Sequence, residues 1–464
     1  MRIIVHLFLL FILLAGTVAI AQSVKYEGFG AGTKGGTSKK VVHVTNLNSK
    51  GPGSLHEAMG SNRTIVFDVS GTISNFRWDS SEEIIVSNLT IDGSTAPAPG
   101  ITIDNNNNGN ALSFQKDCHD IIVKNIRVRN AGNDGLSVVG GYNMVFDHVS
   151  VSGSGDGNFD ITEGAYNITV QYSIIGGGRP GWSGAMLIAY HPTRNISVHH
   201  NLFNSRANED QVVAGSKYPG ERNPLVHSVN NLETTNLMAD IRNNIIWNWG
   251  NASTSPCCGF GYGTGVDYGG TANIVSNYYN TTGNQEANAV DLNHNSKNAR
   301  GFVAGNVSGN KGIDPNQRNN RTAAYRAAPV VIQDACTAAR KVLEGAGPRP
   351  LDPIDAALVQ SVVLANCPER NEQPLAYAGE DILLNSPKGI TLTGKGKDAD
   401  GNITNYAWSW VSGPMAFEMR KTGTPVVHIR NLVNGTYVFR LTVTDNKGAV
   451  ATDDVKLTVR FGRG

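Results

Sequence analysis

The middle of the chain repeats itself. Asp120-Ile121-Ile122-Val123-Lys124-Asn125, Asn143-Met144-Val145-Phe146-Asp147-His148, Asn167-Ile168-Thr169-Val170-Gln171-Tyr172 and Asn195-Ile196-Ser197-Val198-His199-His200 share one pattern, and their starts lie 23, 24 and 28 residues apart. Each opens on a polar turn-forming residue and continues with alternating apolar positions. A period of about 20–30 residues with one strand per unit marks a solenoid, whose coils bury their apolar faces only against their neighbours. Strand-like units continue at Ala239-Asp240-Ile241-Arg242, Ala272-Asn273-Ile274-Val275 and Gly301-Phe302-Val303-Ala304. The leucine spacing of a leucine-rich repeat is absent, so the repeat predicts strands stacked in parallel coils over residues 24–367. Composition agrees. The 464 residues include 53 Gly and 49 Asn, both tolerant of left-handed backbone and suited to many turns. That argues against a helical bundle, and 40% hydrophobic residues exclude wholesale disorder.

The beginning of the chain has a different character. Arg2 precedes an almost wholly apolar run over residues 3–14, and Ala19-Ile20-Ala21 has the small-x-small form of an export cleavage site. Residues 1–21 are expected to be a signal peptide and the mature protein to be a secreted, soluble monomer, extracellular or, in a bacterium, periplasmic or at the cell surface. The apolar run is short for a membrane span. With 39 Lys+Arg against 38 Asp+Glu, the net charge is +1, which gives no electrostatic case for nucleic acid or an anionic membrane as partner. Export permits disulfides. Among five cysteines, Cys336 and Cys367 bracket one segment and are the favoured pair, while Cys257 and Cys258 are adjacent and Cys118 stands apart. Zinc is a poor reading without a Cys-x-x-Cys spacing.

After the repeat, residues 334–344 and 353–364 have helical propensity and helical apolar spacing, and are expected to cap the solenoid. Residues 368–374 read as a polar linker. Short alternating strands follow, among them Ile390-Thr391-Leu392-Thr393, Tyr406-Ala407-Trp408-Ser409-Trp410 and Tyr437-Val438-Phe439-Arg440-Leu441, with turns at Asp400-Gly401 and Asn434-Gly435. They predict a small β-sandwich over residues 371–464. Alternation puts Trp408 and Trp410 on one face, expected to be a buried core face rather than a sugar platform. Ala378-Gly379-Glu380-Asp381, Asp398-Ala399-Asp400-Gly401, the tryptophan strand and Val443-Thr444-Asp445-Asn446-Lys447-Gly448 resemble a PKD-type immunoglobulin-like domain. Such domains commonly accompany secreted polysaccharide-degrading enzymes.

The chemistry concentrates in Phe146-Asp147-His148 and Gly155-Asp156-Gly157-Asn158-Phe159-Asp160. Asp147, Asp156 and Asp160 are three carboxylates in a short stretch of a chain with only 17% charged residues. Folding into coils can bring them to one edge, where clustered carboxylates suit Ca²⁺; ordinary turn aspartates are the alternative. Arg222, in Arg222-Asn223-Pro224, falls on a later coil, where stacking can set it above the aspartates or a surface carboxylate can simply hold it.

These motifs resemble polysaccharide lyase family 1, the pectate lyases. The resemblance is carried, in order, by Gly28-Phe29-Gly30-Ala31-Gly32-Thr33-Lys34-Gly35-Gly36, Val42-His43-Val44-Thr45-Asn46-Leu47, Arg63-Thr64-Ile65-Val66-Phe67-Asp68, the aspartate motif, His199-His200-Asn201-Leu202-Phe203, Arg222-Asn223-Pro224 and Arg242-Asn243-Asn244-Ile245-Ile246-Trp247. It implies an all-β protein, a right-handed parallel β-helix followed by the small sandwich. It implies Asp147, Asp156 and Asp160 as metal ligands for Ca²⁺, Arg222 as the catalytic base, and calcium-assisted β-elimination on polygalacturonate or a related acidic polysaccharide, giving 4,5-unsaturated oligogalacturonides. Two positions depart from the family. Gly184 stands where a substrate-binding lysine is usual, and His227 where a second arginine follows the first; Arg179, Arg206 and Lys217 are candidate substitutes. A lyase on another acidic or methylated uronan, or a non-catalytic carbohydrate-binding β-helix, are the alternatives.

Overall fold

The computed structural model of this chain describes residues 26–36, 40–79, 84–176, 184–205, 222–228, 236–249, 262–281, 288–292, 298–310, 314–316, 321–369, 371–386 and 388–462. The expected signal peptide, Cys257 and Cys258, and the candidate cations Arg179, Arg206 and Lys217 lie outside these residues. The chain divides into two compact units, Met1–Cys367 and Pro368–Gly464.

In the first unit the described strands make three parallel sheets of ten, eight and nine strands. Neighbours within a sheet come from successive coils, as where Tyr142–Asp147 pairs in parallel with His119–Lys124 on one side and Tyr166–Gln171 on the other. This is a parallel β-helix. Its core is built from equivalent positions stacked coil on coil. Ile121, Met144, Ile168 and Ile196 are register partners in one inward row, and Val123, Phe146, Val170 and Val198 in the next; all eight are fully buried. The polar residue that opens each repeat has a conformational cause. Asp120, Asn143, Asn167 and Asn195 have φ of 53°, 52°, 55° and 56°, the left-handed region that Asn and Asp enter at least cost. Their side chains also join the coils, Asn167 Nδ2 donating to Asn143 Oδ1 at 3.2 Å and Asn195 Nδ2 to Asn167 Oδ1 at 3.1 Å. A second ladder is buried. The carboxamides of Asn201, Asn244 and Asn277 donate to Asn244, Asn277 and Asn306 in turn at 3.1, 3.0 and 3.1 Å. Each Asn also donates to a backbone carbonyl, so these buried polar groups are satisfied.

Residues 28–36 cross the outside of the ten-stranded sheet as a strap. Phe29 N donates to Ser197 Oγ, Gly30 N to Thr169 Oγ1 and Gly36 N to Thr90 Oγ1, at 3.0, 2.9 and 2.9 Å. The approach is too close for side chains, since a Cβ on Gly30 would stand 2.5 Å from Met144 O and one on Gly36 1.9 Å from Arg63 O. The glycine-rich motif is therefore a packing requirement, and it explains why the outward-facing Val145, Thr169 and Ser197 are buried.

The two helices after the coils, Ala335–Gly345 and Pro353–Gln360, start at Asp334 and Asp352, whose side chains accept from the amides of Thr337 and Asp355. They cover a flank rather than closing the end of the solenoid as a cap. Ala339, Val342 and Leu358 pack on Ile174, Leu202, Ile245 and Tyr278 of the nine-stranded sheet. A buried ion cluster fixes the second helix, with Arg129 Nη2 at 2.9 Å from Asp355 Oδ1 and 3.0 Å from Asp352 Oδ2, and Arg127 Nε at 3.4 Å from Asp355 Oδ2. Cys336 and Cys367 form a disulfide, and Cys118 is buried.

The second unit is a small β-sandwich. One sheet holds Ile382–Leu384, Val450–Val459, Gly435–Asp445 and Ile403–Ser412, and another Ile390–Thr393, Val426–Arg430 and Glu418–Arg420. Alternation is plain in Gly435–Asp445, where Tyr437, Phe439, Leu441 and Val443 all enter the core. Trp408 is in that core and Trp410 packs against it, so the tryptophans are structural.

Candidate functional site: an acid cluster under an arginine

The outer face of the eight-stranded sheet carries the site. Its strands Leu136–Val139, Gly157–Thr162, Gly184–Ala189 and Leu225–His227 are consecutive neighbours, with Ser137, Asp160, Leu187 and Leu225 in one register row. Asp134, Asp156 and Arg222 each lie just before a strand of this set. Backbone bonds stack these entries, Asp156 N donating to Asn133 O, Gly184 N to Asp156 O and Met186 N to Arg222 O at 3.2, 2.8 and 2.8 Å.

Arg222 Nη1 reaches Asp156 Oδ1 at 3.3 Å, with the guanidinium side chain 22% exposed and the Asp156 side chain 56% exposed. Asp160 lies deeper. Its Oδ1 accepts from Leu187 N at 3.1 Å, and its carboxyl folds back over Gly157, where a Cβ would stand 2.3 Å from Oδ1. Asp134 Oδ1 accepts from Gly157 N at 3.1 Å. Burial pushes the Asp160 carboxyl well above the usual carboxylate range, and the Asp134 charge adds to this, against the pull of Arg222 and the Leu187 N–H. Burial likewise raises Asp134 to about 6, opposed by the Gly157 N–H, aided by Asp156 and opposed again by Arg222. Among the described residues, one guanidinium is thus set against three neighbouring carboxylates.

The structure brings together three of the four sequence candidates, Asp156, Asp160 and Arg222. It places Asp147 on a different sheet from these three. Asp147 ends a strand of the ten-stranded sheet, not the eight-stranded one. It is buried, and its Oδ1 is bonded to His148 Nδ1 at 2.8 Å and Gln171 Nε2 at 2.9 Å. Asp134 takes its place in the cluster. The signal for it was available, because Asn133-Asp134-Gly135 precedes Gly155-Asp156-Gly157 by 22 residues, close to the coil period.

His227, five residues after Arg222, pairs through Nδ1 with the buried Asp267 Oδ1 at 2.7 Å and packs on the Tyr268 ring at 4.8 Å. Among the described residues no three acidic, histidine or cysteine side chains close on one point as a finished metal cage. The donor chemistry nevertheless fits a hard cation, since Asp134, Asp156 and Asp160 offer only oxygen and, among the described residues, share the one guanidinium of Arg222.

Fold and site together define a class, the parallel β-helix that presents acids and an arginine on the outer face of one sheet. Within it, the chain is related in sequence to pectate lyases. It is 36% identical over 287 residues to "Probable pectate lyase C" of Aspergillus terreus, covering 60% of this chain and 59% of that protein. It is 38% identical over 261 residues to the protein of the same name in Neosartorya fischeri, covering 54% and 52%. The chain thus spans somewhat over half the length of these curated relatives. In fold, the crystal structure of jun a 1, the major allergen from cedar pollen, superposes with a TM-score of 0.51 at 16% identity, covering 69% of this chain and 92% of the allergen. A PKD domain family matches residues 378–459, within the sandwich.

Proposed function

We propose that this chain is a secreted polysaccharide lyase that cleaves de-esterified polygalacturonate by β-elimination, with Arg222 as the base and Ca²⁺ as cofactor on Asp134, Asp156 and Asp160. The observation that carries the reading is the Arg222–Asp156 pair beside two carboxylates raised by burial and mutual repulsion, on a β-helix whose curated relatives bear the name pectate lyase. A bound Ca²⁺ would offset the acids and polarise a uronate carboxylate, which acidifies the C5 proton. Arg222 takes that proton on a guanidine nitrogen. The electron pair of the C5–H bond forms the C4–C5 double bond, and the C4–O bond breaks toward the leaving oxygen, which is protonated by water. Asp156 fixes the direction of the guanidinium and Asp160 anchors the floor of the cluster through Leu187 N. Arginine accepts a proton only from its neutral form, which is scarce below pH 12, so turnover is expected to climb into the alkaline range. The test is ultraviolet absorbance of the unsaturated product formed from polygalacturonate. Growth with Ca²⁺ and none with chelator is the expected result, and binding of the polymer without absorbance growth would indicate a non-catalytic module.

A further inference from the structure

The eight-stranded sheet carries a second group of polar and aromatic side chains, at the far end of its strands from Arg222. In the strand Leu225–His227, Val226 enters the core, and alternation turns Leu225 and His227 to the outer face. The His227 side chain is 24% exposed. Its register partner on the next coil is the buried Asp267, whose Oδ1 lies 2.7 Å from His227 Nδ1. An ionised carboxylate only accepts, so Nδ1 carries the proton and the ring is held in one orientation. Nε2 has no such partner. No described residue bonds it, and Ala189, the register partner on the preceding coil, has no polar side-chain group to offer.

Two tyrosines flank this imidazole. Tyr190 follows the strand Gly184–Ala189 and Tyr268 follows Tyr262–Asp267. Their ring centroids lie 6.1 and 4.8 Å from that of His227, with planes at 89° and 50° to it, and all three rings are partly exposed. The same unit has another row of rings, His119, Tyr142 and Tyr166, with successive centroids 4.8 Å apart and planes 10° and 4° from parallel. There each face covers the next, and the row joins the coils. The steep angles around His227 instead leave ring surface uncovered, beside a nitrogen that no described residue bonds. Apolar ring surface next to a fixed polar atom suits a sugar, which presents C–H groups on its faces and hydroxyls at its rim. In the neutral imidazole Nε2 accepts from a hydroxyl, and in the cation it donates to a carboxylate. A uronan supplies both.

We propose that Tyr190, His227 and Tyr268 form an outer subsite for a uronate ring of the polymer, remote from the bond that breaks, with Asp267 positioning His227. The inference rests on the reading of the β-helix as a uronan lyase and adds a specificity-determining group to it. Distance sets its role. The stem of Arg222 sits over Gly184. Gly184 begins and Ala189, the partner of His227, ends one strand, a span of roughly 16 Å at about 3.3 Å per residue. A polymer lying along the strands from Arg222 passes the half-buried Leu187 and Leu225 and then meets His227. A short oligomer held at Arg222 ends before it. The subsite therefore tightens the binding of long chains and does not touch the reacting atoms.

The experiment compares the full chain with His227→Asn, whose carboxamide can still donate to Asp267 but which has neither Nε2 nor a ring. In turnover, KM for polygalacturonate is expected to rise about tenfold, the scale of one lost hydrogen bond with its ring contacts, while kcat and the KM for trigalacturonate move less than about twofold. In an Arg222→Lys background, calorimetry should show the polymer bound about tenfold more weakly once His227→Asn is added. Tyr190→Asn, which suits the left-handed backbone there (φ 65°), should weaken the polymer in the same sense. A loss shared equally by polymer and trimer, or polymer affinity undiminished in both variants, would overturn the proposal. Polymer binding that both variants weaken, in a chain without turnover, would overturn the lyase reading and leave the subsite standing.

Discussion

The stem of Arg222 occupies the space directly above Gly184, where a Cβ would stand 2.4 Å from Arg222 Cδ and 2.9 Å from its Cβ. The residue that departs from the family pattern is therefore the seat of the arginine. Any side chain at 184 must push Arg222 away from Asp156.

Restoring the family residue should consequently harm this protein. Gly184→Lys is expected to lower kcat on polygalacturonate by about a hundredfold, the scale on which a misplacement of about 1 Å acts. Turnover that rises instead would mean that Arg222 does not need the space above residue 184.

The two aspartates that exchange places in the site should separate cleanly in calorimetry. Asp134→Asn is expected to weaken Ca²⁺ binding at the β-helix and slow elimination together. Asp147→Asn should leave that affinity intact and lower stability by about 1–3 kcal/mol, because it disturbs the buried bonds to His148 and Gln171. Equal losses of Ca²⁺ affinity in both variants would contradict the placement of Asp147 on another sheet.

The acid cluster also predicts a pH dependence. Asp134 rises from the ordinary 3.8 to about 6 on folding, chiefly through burial. A raised folded value means that the contribution of Asp134 to stability is complete below about 4 and is lost as pH climbs through about 6. In chelator, the thermal midpoint of the unaltered chain relative to Asp134→Asn should therefore fall between pH 4 and 7, and Ca²⁺ should reverse the loss at pH 7. A difference that is flat across this interval would argue against the crowding of charge inferred for the cluster.

Elsewhere the ion cluster beneath the second helix should be indispensable as a set. Asp355→Ala leaves Arg127 and Arg129 buried beside Asp352 alone, and is expected to cost about 3–5 kcal/mol in chemical denaturation of the β-helix. A cost below about 1 kcal/mol, the size of a surface pair, would show that the helix is held by its apolar contacts.

Much of the fold was legible because one physical constraint recurs along the chain. Asp120, Asn143, Asn167 and Asn195 each occupy a left-handed position, so the period of the coils is written in residue type. The sandwich core was legible in the same manner, through the alternation from Tyr437 to Val443. The sheet that Asp147 joins was not legible, because proximity in sequence does not say which of three sheets a strand joins. Asp134 was passed over because Asn-Asp-Gly reads as an ordinary turn until stacking sets it beside Asp156. The strap over residues 28–36 gave a motif but not its purpose, since the partners of Gly30 and Gly36 lie more than twenty residues away in sequence.

The central claim is that Arg222 removes the C5 proton. Its most direct test is the single-turnover rate of elimination from polygalacturonate by Arg222→Lys, measured across pH with Ca²⁺ saturating and compared with substrate affinity. The account predicts a rate reduced by at least about a thousandfold, since loss of general base catalysis alone removes about 10²–10⁴-fold, with affinity changed far less. A near-normal rate, retaining its alkaline rise, would contradict it and assign the proton to another group.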